Sequence, residues 1–288
     1  MNAPSEKFVP AVRIINVADI KPTNTPHRQT VLQTAEFEDP RDGRRFRCGF
    51  SRKKQDNNYS PPHRHTFDQI RFVIDGKTKY GPMRLASGEC AYFPEGVFYG
   101  PTEPLSEEIA SCTIQSQGPS WGAFPNDAEC LVAGQQLKDK GQMERATGQF
   151  LWADGRKQDS FEALLETLQG KPVEYPEQRY RAPVQLKTEA FAWLPSKRDR
   201  GVELKPLARF NAAGPDIGMA RIEAGAALSG DVEDTHRMMV VFSGNGAHAN
   251  EGLREGSFIY CPPGVKLGDV KAGEPMLLFI TRFESKVA

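Results

Sequence analysis

An internal repeat is the feature that most constrains how this 288-residue chain folds. The four residues that end at Gly76, Val-Ile-Asp-Gly, align with Val-Phe-Ser-Gly ending at Gly244. In the same ungapped register Gly88 falls on Gly256, Gly100 on Gly268, and Phe93-Pro-Glu-Gly96 on Cys261-Pro-Pro-Gly264. Turn glycines and a proline that recur in one register predict two copies of one structural unit.

Each copy has the pattern of turn residues that is typical of a β protein. The 26 glycines and 22 prolines separate short segments rich in β-branched and aromatic residues, with turn signals every eight to twelve residues. Ile70 to Ile74 is predicted as a strand that ends at the Asp75-Gly76 turn, with Lys77 to Gly81 as its hairpin partner. This spacing predicts an all-β chain built from antiparallel barrels or sandwiches.

The segment between the copies has a different pattern. Residues 159–168 form the clearest helical signal, in which Asp159 caps the start, Gly170 ends the helix and leucines recur on one face. We therefore predict three parts: a barrel over 1–117, a connector with one helix over 118–182 that packs on the barrels, and a second barrel over 183–288.

The candidate site lies in the first copy, at Pro62-His-Arg-His-Thr-Phe-Asp-Gln69. His63 and His65 are one residue apart, so both imidazoles project from the same face of a strand. Gln69 keeps to that face if the strand continues. Imidazoles together with an oxygen ligand suit zinc, iron, nickel or manganese.

The first copy resembles the cupin superfamily, whose two motifs are G-x5-H-x-H-x3,4-E-x6-G and G-x5-P-x-G-x2-H-x3-N. His63, His65 and Gly76 match the first motif, and Gly88, Pro94 and Gly96 match the second with the same spacing. The resemblance covers roughly residues 45–116 and implies a jelly-roll barrel with an internal metal. Together with the repeat, it implies a bicupin with two such barrels in tandem.

This sequence departs from the cupin pattern at two ligand positions. Gln69 stands at the glutamate position and Tyr99 at the third histidine position. The resemblance thus implies a site of His63, His65, Gln69 and Tyr99, holding a divalent transition metal, with iron favoured and manganese, nickel or zinc as alternatives. Gln69 is a weak ligand or a substrate contact, and Tyr99 is a ligand or a general acid or base; a barrel-lining tyrosine is the simpler alternative.

The matching positions in the second copy are Asp231, Glu233, Arg237 and Leu267. Arginine and leucine offer nothing to a cation, so the second barrel is predicted to lack metal ligands. In the first copy, we expect Asp68 and Arg71 on the face opposite Gln69, as surface or subunit-contact residues. Glu95 is expected in an exposed turn.

Several function classes have little support. The formal net charge is zero, with 37 basic and 37 acidic residues, which argues against nucleic acid or an anionic membrane as the main partner. Five scattered cysteines and no apolar leader favour a cytoplasmic protein with reduced thiols. Because exposed sheet edges pair between subunits, we expect a homodimer.

The resemblance implies a metal-dependent enzyme acting on a small organic molecule inside the first barrel. We favour an oxygenase, because open positions around two imidazoles suit iron chemistry. Cupins also include isomerases, lyases and decarboxylases, and the fold alone does not choose the reaction. A bicupin that binds a small ligand without turnover is the alternative from another class.

Overall fold

The predicted strands pair into antiparallel sheets in a computed structural model that describes residues 9–25, 30–54, 60–144, 147–210 and 214–286. The described chain divides into two compact units. The N-terminal unit contains the described residues of Lys21–Glu36 and Arg45–Glu189. The C-terminal unit contains those up to Ile20, Phe37–Arg44, and those from Ala190 onward.

Strands account for most of the regular structure. Up to residue 117 they are β1 (Arg13–Asn16), β2 (Thr23–Thr25), β3 (Thr30–Asp39), β4 (Arg44–Lys54), β5 (Phe67–Asp75), β6 (Lys77–Tyr80), β7 (Met83–Ala86), β8 (Cys90–Phe93), β9 (Thr102–Pro104) and β10 (Glu108–Gln117). The middle segment contains α1 (Asp127–Leu137), β11 (Gly141–Glu144), β12 (Gln149–Trp152), β13 (Lys157–Asp159) and α2 (Ser160–Gln169).

The remaining strands all follow α2. The first of them joins the large sheet of the N-terminal unit, and the others belong to the C-terminal unit. In chain order, the strands after α2 are β14 (Val184–Leu186), β15 (Leu194–Pro195), β16 (Val202–Arg209), β17 (Asp216–Ile222), β18 (Ala227–Val232), β19 (His236–Ser243), β20 (Gly246–His248), β21 (Glu251–Leu253), β22 (Ser257–Cys261), β23 (Lys266–Ala272) and β24 (Met276–Phe283). Short 3-10 turns lie at Val17–Asp19 and Thr188–Ala190.

Each unit has one seven-stranded sheet and a smaller sheet, and the N-terminal unit has a further three-stranded sheet, β11-β12-β13. In the N-terminal unit the large sheet has the order β14-β8-β5-β10-β4-β3-β2, and the smaller one β7-β6-β9. In the C-terminal unit the orders are β1-β22-β19-β24-β17-β16-β15 and β18-β23-β20-β21. The prediction of an all-β fold is confirmed, and the sheets are consistent with two tandem cupin barrels.

The repeat register has a direct structural counterpart. Gly88 N donates to Val73 O, and Gly256 N donates to Val241 O, each at 2.9 Å. Gly96 N donates to the carbonyl of His65 and Gly264 N to the carbonyl of Glu233, each at 2.8 Å. Because the same backbone bonds recur at matched positions, the two units share one scaffold, and Glu233 stands where His65 stands in the first unit.

Gly76 shows why glycine is needed at the start of the repeat. Its φ is +82°, and a Cβ at this position would lie 2.4 Å from the carbonyl oxygen of Glu108. Its counterpart Gly244 also has φ +82°, with a Cβ position 2.2 Å from the Pro275 carbonyl oxygen. A side chain is therefore excluded at both corners by sterics and by backbone conformation.

That corner also corrects a prediction. The expected hairpin between Ile70–Ile74 and Lys77–Gly81 does not form, because β6 pairs with β7 and β9 rather than with β5. At Gly76 the chain leaves the large sheet and enters the small one. A two-residue turn signal marks the end of a strand, but it does not say which sheet the next strand joins.

The domain boundaries also differ from the predicted ones. The first strand was expected in the barrel over 1–117, but β1 pairs with β22 in the C-terminal unit. The segment 118–182 clusters with the N-terminal unit and contains two helices. Helix α2 confirms the prediction, with Asp159 as its cap and Gly170 at its end with φ +66°. Helix α1 was missed, although Asn126 and Glu129 form a capping box.

No helix among the described residues has the length and hydropathy needed to cross a membrane. All five cysteines are free, and Cys48, Cys90, Cys112 and Cys261 are buried. Burial raises the pKa of each of these four thiols, for Cys90 to about 12. They are therefore inert, neutral core groups at neutral pH.

Candidate functional site

The four predicted site residues come together inside the N-terminal unit. The rings of His63 and His65 lie 5.0 Å apart between centroids, and Tyr99 lies 4.5 Å from His63 and 5.9 Å from His65. Tyr99 is positioned by paired backbone bonds with His63, each of 3.0 Å. Gln69 Nε2 donates to the Tyr99 hydroxyl oxygen at 2.8 Å. Whether these residues hold a metal stays a prediction.

The two imidazoles have the chemistry that a divalent metal needs. His63 Nδ1 donates to the Pro61 carbonyl at 2.7 Å, which fixes the orientation of the ring. Burial, with smaller contributions from His63, Arg71 and Arg47, lowers the pKa of His65 well below its ordinary value. His65 is therefore neutral at pH 7. Its Nδ1 is buried and has no hydrogen-bond partner among the described residues.

Gln69 and Tyr99 are less suited to bind a metal. The amide oxygen of Gln69 accepts from Arg71 Nη2 at 3.0 Å and from Gln115 Nε2 at 2.9 Å, so both its lone pairs are engaged. Burial raises the pKa of Tyr99 although Arg71 and Gln69 oppose this, so the phenol keeps its proton at neutral pH. The donor set thus fits a metal held by two imidazoles, with other positions left to substrate or water.

Arg71 is the site residue that the sequence reasoning misplaced. It was expected on the outer face, yet it lies two residues after Gln69 and so shares its face. Its guanidinium carbon lies 5.3–5.5 Å from the ring centroids of Tyr80, Phe93 and Tyr99. Arg71 Nη2 is also 3.3 Å from the Tyr99 hydroxyl. Applying the two-residue period of a strand to Gln69 would have found it.

The charge of Arg71 has no opposite charge beside it. Its hydrogen-bond partners are the neutral side chains of Gln69, Tyr80 and Tyr99, and its Nε is buried without a partner among the described residues. In the part of the chain that the structure describes, no carboxylate lies within 4.0 Å of its guanidinium. An arginine is always charged, so this part of the barrel attracts an anion.

Arg71 also lines a cavity of about 280 Å³ on the inner face of the large sheet. Hydroxyl side chains from neighbouring strands face the same space, including Ser51, Ser111 and Thr113. Arg47 lines it as well, but Glu36 and Asp127 neutralise that guanidinium at 3.0 and 2.9 Å. Lys53 lines the cavity too, so the lining is polar and mostly cationic, with Arg71 among its charges.

Two carboxylates expected at the surface are structural. Asp68 is buried, and it accepts hydrogen bonds from the Tyr92 hydroxyl at 3.0 Å and the Glu95 backbone N at 2.9 Å. Glu95 is also buried and accepts from the backbone and hydroxyl of Ser120. The second cupin-like motif therefore uses its variable turn residue to anchor the Ser120 loop. Its sequence position alone does not reveal this.

In the C-terminal unit an ion-pair cluster occupies the positions that match the candidate metal site. Glu233 accepts from Arg282 Nε at 2.8 Å and from Arg237 Nη1 at 3.3 Å. Arg237 is 2% exposed. Leu267 stands at the position of Tyr99 and packs in the apolar core. The unit thus places a guanidinium where the N-terminal unit has Gln69.

A second group of potential metal ligands lies in the C-terminal unit, where Asp39, Asp42 and His236 approach within 4.8 Å. Each is already engaged: Arg41 contacts both oxygens of Asp39, and His236 bonds Asp42 and the Tyr260 hydroxyl, each at 2.9 Å. Burial lowers the pKa of His236 although Asp42 opposes this. These contacts describe a satisfied hydrogen-bond network that packs the Phe37–Arg44 turn.

Comparisons with known proteins agree with this fold. Residues 181–286, which include most of the C-terminal unit, match the family model described as ChrR Cupin-like domain. A search of curated proteins finds no match.

Solved structures match over nearly the whole chain. A Nostoc punctiforme protein described as a "putative dioxygenase" is 12% identical with a TM-score of 0.62, covering 99% of this chain and 86% of its own. A single-residue variant of Bacillus subtilis oxalate decarboxylase is 12% identical with a TM-score of 0.59, covering 98% of this chain and 80% of its own. A further structure of the same decarboxylase, described by its Mn(II) centres, is 13% identical with a TM-score of 0.59, over 99% and 81%. At these identities the likeness shows the fold alone.

Proposed function

We propose that the N-terminal unit is a metal-dependent enzyme site that acts on a small organic acid, and that the reaction is of the oxygenase type. The observation that carries the proposal is that two imidazoles, of which His65 is neutral, share an inner face with Arg71, whose hydrogen-bond partners are all neutral. Iron is the favoured metal, and manganese, nickel or zinc are alternatives. The structural neighbours described as a dioxygenase and as an oxalate decarboxylase with Mn(II) centres support this class of chemistry.

The charge of Arg71 defines the substrate class. A metal and a guanidinium in one barrel repel each other, and a carboxylate substrate relieves that repulsion by binding both. Arg71 presents a planar donor fork, which matches the geometry of a carboxylate. The cavity of about 280 Å³ has room for a small acid beside hydroxyl groups that bind its oxygens.

Each side chain then has a defined role. His63 and His65 would hold the metal, which supplies Lewis-acid or dioxygen chemistry when bound. Arg71 binds and orients the carboxylate. Gln69 fixes Arg71 and Tyr99 through its amide. Tyr99 accepts from Gln69 and Arg71 and retains its proton, so its O–H is available to donate to the substrate.

The test begins with metal analysis of the untagged protein. We expect about one equivalent of transition metal, lost in His65→Ala and retained in Arg71→Met. Oxygen consumption and carbon dioxide release are then measured with oxalate, malonate and acetoacetate. Turnover of one acid should fall at least tenfold in Arg71→Met, and Arg84→Met, which removes an exposed cation from the same unit, should leave it unchanged. Metal content below a tenth of an equivalent would contradict the metal-dependent mechanism.

A second candidate function is anion binding without turnover and without metal. It is favoured by the hydrogen bonds that engage Gln69 and Tyr99, the two positions that complete a cupin metal shell. Under this alternative, metal-free protein would bind oxalate in a titration, and Arg71→Met would abolish binding. Carbon dioxide release without oxygen consumption would instead identify a decarboxylase.

A further inference from the structure

The C-terminal unit contains a cavity of about 860 Å³, which is larger than the cavity that Arg71 lines. This falls within the range of sites that bind drug-sized ligands. It lies over the inner-face positions that match His63, His65, Gln69 and Tyr99, because Asp231, Glu233, Arg237 and Leu267 all line it. The scaffold that positions ligands in the first unit therefore encloses a separate space in the second.

The walls of this cavity are mainly apolar. Met239, Leu267 and Ile280 are buried in the core of the unit and face the cavity, and the partly buried Leu204 and Leu228 pack beside them. Water makes few hydrogen bonds to such walls, whereas a ligand with an apolar part of matching size would remove the apolar side chains from contact with water. The apolar lining therefore selects a ligand with a substantial hydrocarbon or aromatic part.

One part of the lining carries an excess of positive charge. Arg237 and Arg282 share the single carboxylate of Glu233. Arg237 is 2% exposed, and its Nε is buried without a hydrogen-bond partner among the described residues. Arg282 uses Nε and Nη2 on Glu233, and none of the described residues accepts from its Nη1. Two guanidiniums against one carboxylate leave one positive charge uncompensated.

We propose that this cavity binds an amphipathic carboxylate, whose apolar body contacts Met239, Leu267 and Ile280 and whose head group binds Arg282 beside Glu233. The carboxylate head group neutralises the positive charge that Glu233 does not balance, and the apolar part of the ligand fills the space between the sheets. A neutral ligand of the same shape lacks the first contribution, and a polar dicarboxylate lacks the second. This site is distinct in composition from the small polar cavity around Arg71.

The direct test is calorimetric titration of the full-length protein with dodecanoate below its micelle concentration. We expect saturable binding at one site, and at least tenfold weaker binding of dodecanol. Arg282→Met should weaken dodecanoate binding at least tenfold and bring its affinity close to that of dodecanol. Ile280→Trp, which fills the cavity, should abolish the binding of both.

Two controls separate this result from misfolding and from the first proposal. Circular dichroism and the denaturation midpoint of each variant establish that it folds, and Met239→Trp offers a second cavity-filling variant if Ile280→Trp does not. Arg71→Met should leave dodecanoate binding unchanged while it lowers turnover of the small acid at least tenfold. Absence of dodecanoate binding, or binding that Arg282→Met and the folded cavity-filling variant leave unaltered, would overturn the proposal, whatever the outcome at the N-terminal site.

Discussion

The two units solve the same problem of placing a guanidinium inside a β-barrel, and they do so in opposite ways. In the C-terminal unit, Arg237 and Arg282 share the carboxylate of Glu233. In the N-terminal unit the position of Glu233 belongs to His65, and Arg71 contacts only neutral partners. One scaffold thus carries two guanidiniums that share one carboxylate and, in its other copy, a guanidinium with no carboxylate beside it among the described residues. This difference is the reason for assigning the proposed reaction to the N-terminal unit.

Substitutions in the scaffold that the two units share should have the largest effects on the free energy of unfolding. Gly76→Ala and Gly244→Ala place a Cβ 2.4 and 2.2 Å from a backbone carbonyl oxygen, at a left-handed φ. We expect each to lower the free energy of unfolding by about 3 kcal/mol or more, combining backbone strain with overpacking. Urea denaturation followed by circular dichroism measures it.

Gly88→Ala is the matched control, because Gly88 has the same φ of +82° with nothing within 4 Å of a Cβ. Gly88→Ala should lower the free energy of unfolding by about 1–2 kcal/mol, which is the cost of placing alanine at a left-handed φ. If Gly76→Ala costs no more than Gly88→Ala, the corner is not sterically closed in the way described.

The next prediction compares the ion pairs around Glu233 with the matched position in the N-terminal unit. Glu233→Gln removes the charge that balances Arg237 and Arg282 and keeps the shape of the side chain. Because Glu233 is partly exposed, with 28% of its side chain accessible, we expect a loss of about 2 kcal/mol rather than the larger penalty of a fully buried pair. The N-terminal counterpart His65→Gln breaks no ion pair and should cost less.

The same variant predicts a pH dependence. Burial alone would raise the pKa of Glu233, but Arg282 and Arg237 together with hydrogen bonds hold it below the ordinary 4.5. A carboxylate with a lowered pKa contributes stability that is fully present above its ordinary pKa and is lost as the pH falls through the lowered value. The difference in unfolding free energy between the wild type and Glu233→Gln should therefore be constant near pH 7 and shrink below pH 4.5. A constant difference down to about pH 3 would contradict the ion-pair interpretation.

A third substitution gives the buried arginine of the N-terminal unit a neighbouring carboxylate, as the arginines of the C-terminal unit have. Gln69→Glu places a carboxylate beside Arg71 with little change in shape. We expect Mn²⁺ affinity to rise about tenfold, or ~1.4 kcal/mol, because the cationic repulsion is removed. Oxalate affinity should fall by a similar factor because Arg71 is neutralised. Titration calorimetry with each ligand measures both, and Gln142→Glu, at an exposed position of β11 in the same unit, is the control.

The smallest effect concerns the first strand. A Cβ at Gly256 would lie 3.1 Å from Val17 Cβ, whereas its counterpart Gly88 has open space. We expect Gly256→Ala to cost more than Gly88→Ala by about 0.5–1 kcal/mol. Adding Val17→Ala should reduce that excess, as a double-mutant cycle would show. Identical costs would indicate that Val17 moves aside without penalty.

The sequence predicts much of the fold because glycine and proline positions report backbone geometry directly. Gly76, Gly88 and their counterparts recur where a positive φ is needed, so the repeat is visible without side chains. The cap at Asp159 and the terminal Gly170 likewise act locally, and α2 is where they place it. Helix α1 has exposed Leu131 and Val132 and no continuous apolar face, so periodicity does not reveal it.

The candidate site is only partly readable from sequence. The histidine pair follows from strand period and the cupin resemblance, and Arg71 follows from the same period when it is applied to Gln69. The network that engages Gln69 depends on Gln115, which comes from a different strand through register Gln115↔Gln69. Cross-strand register over long sequence distances decides whether a ligand atom is free. Sequence spacing carries no information on that register.

The pairing of β1 with β22 has a consequence for how the chain is made. Asn16 and Ser257 are register partners, and the hydrogen bond between their side chains joins residues 241 positions apart. The ribosome releases β1 well before β22, which emerges only after the whole N-terminal unit has been synthesised. Contacts of such long range form late in folding. Strand β1 therefore lacks its partner while the N-terminal unit is being synthesised, and a product stopped before residue 257 would leave β1 unpaired.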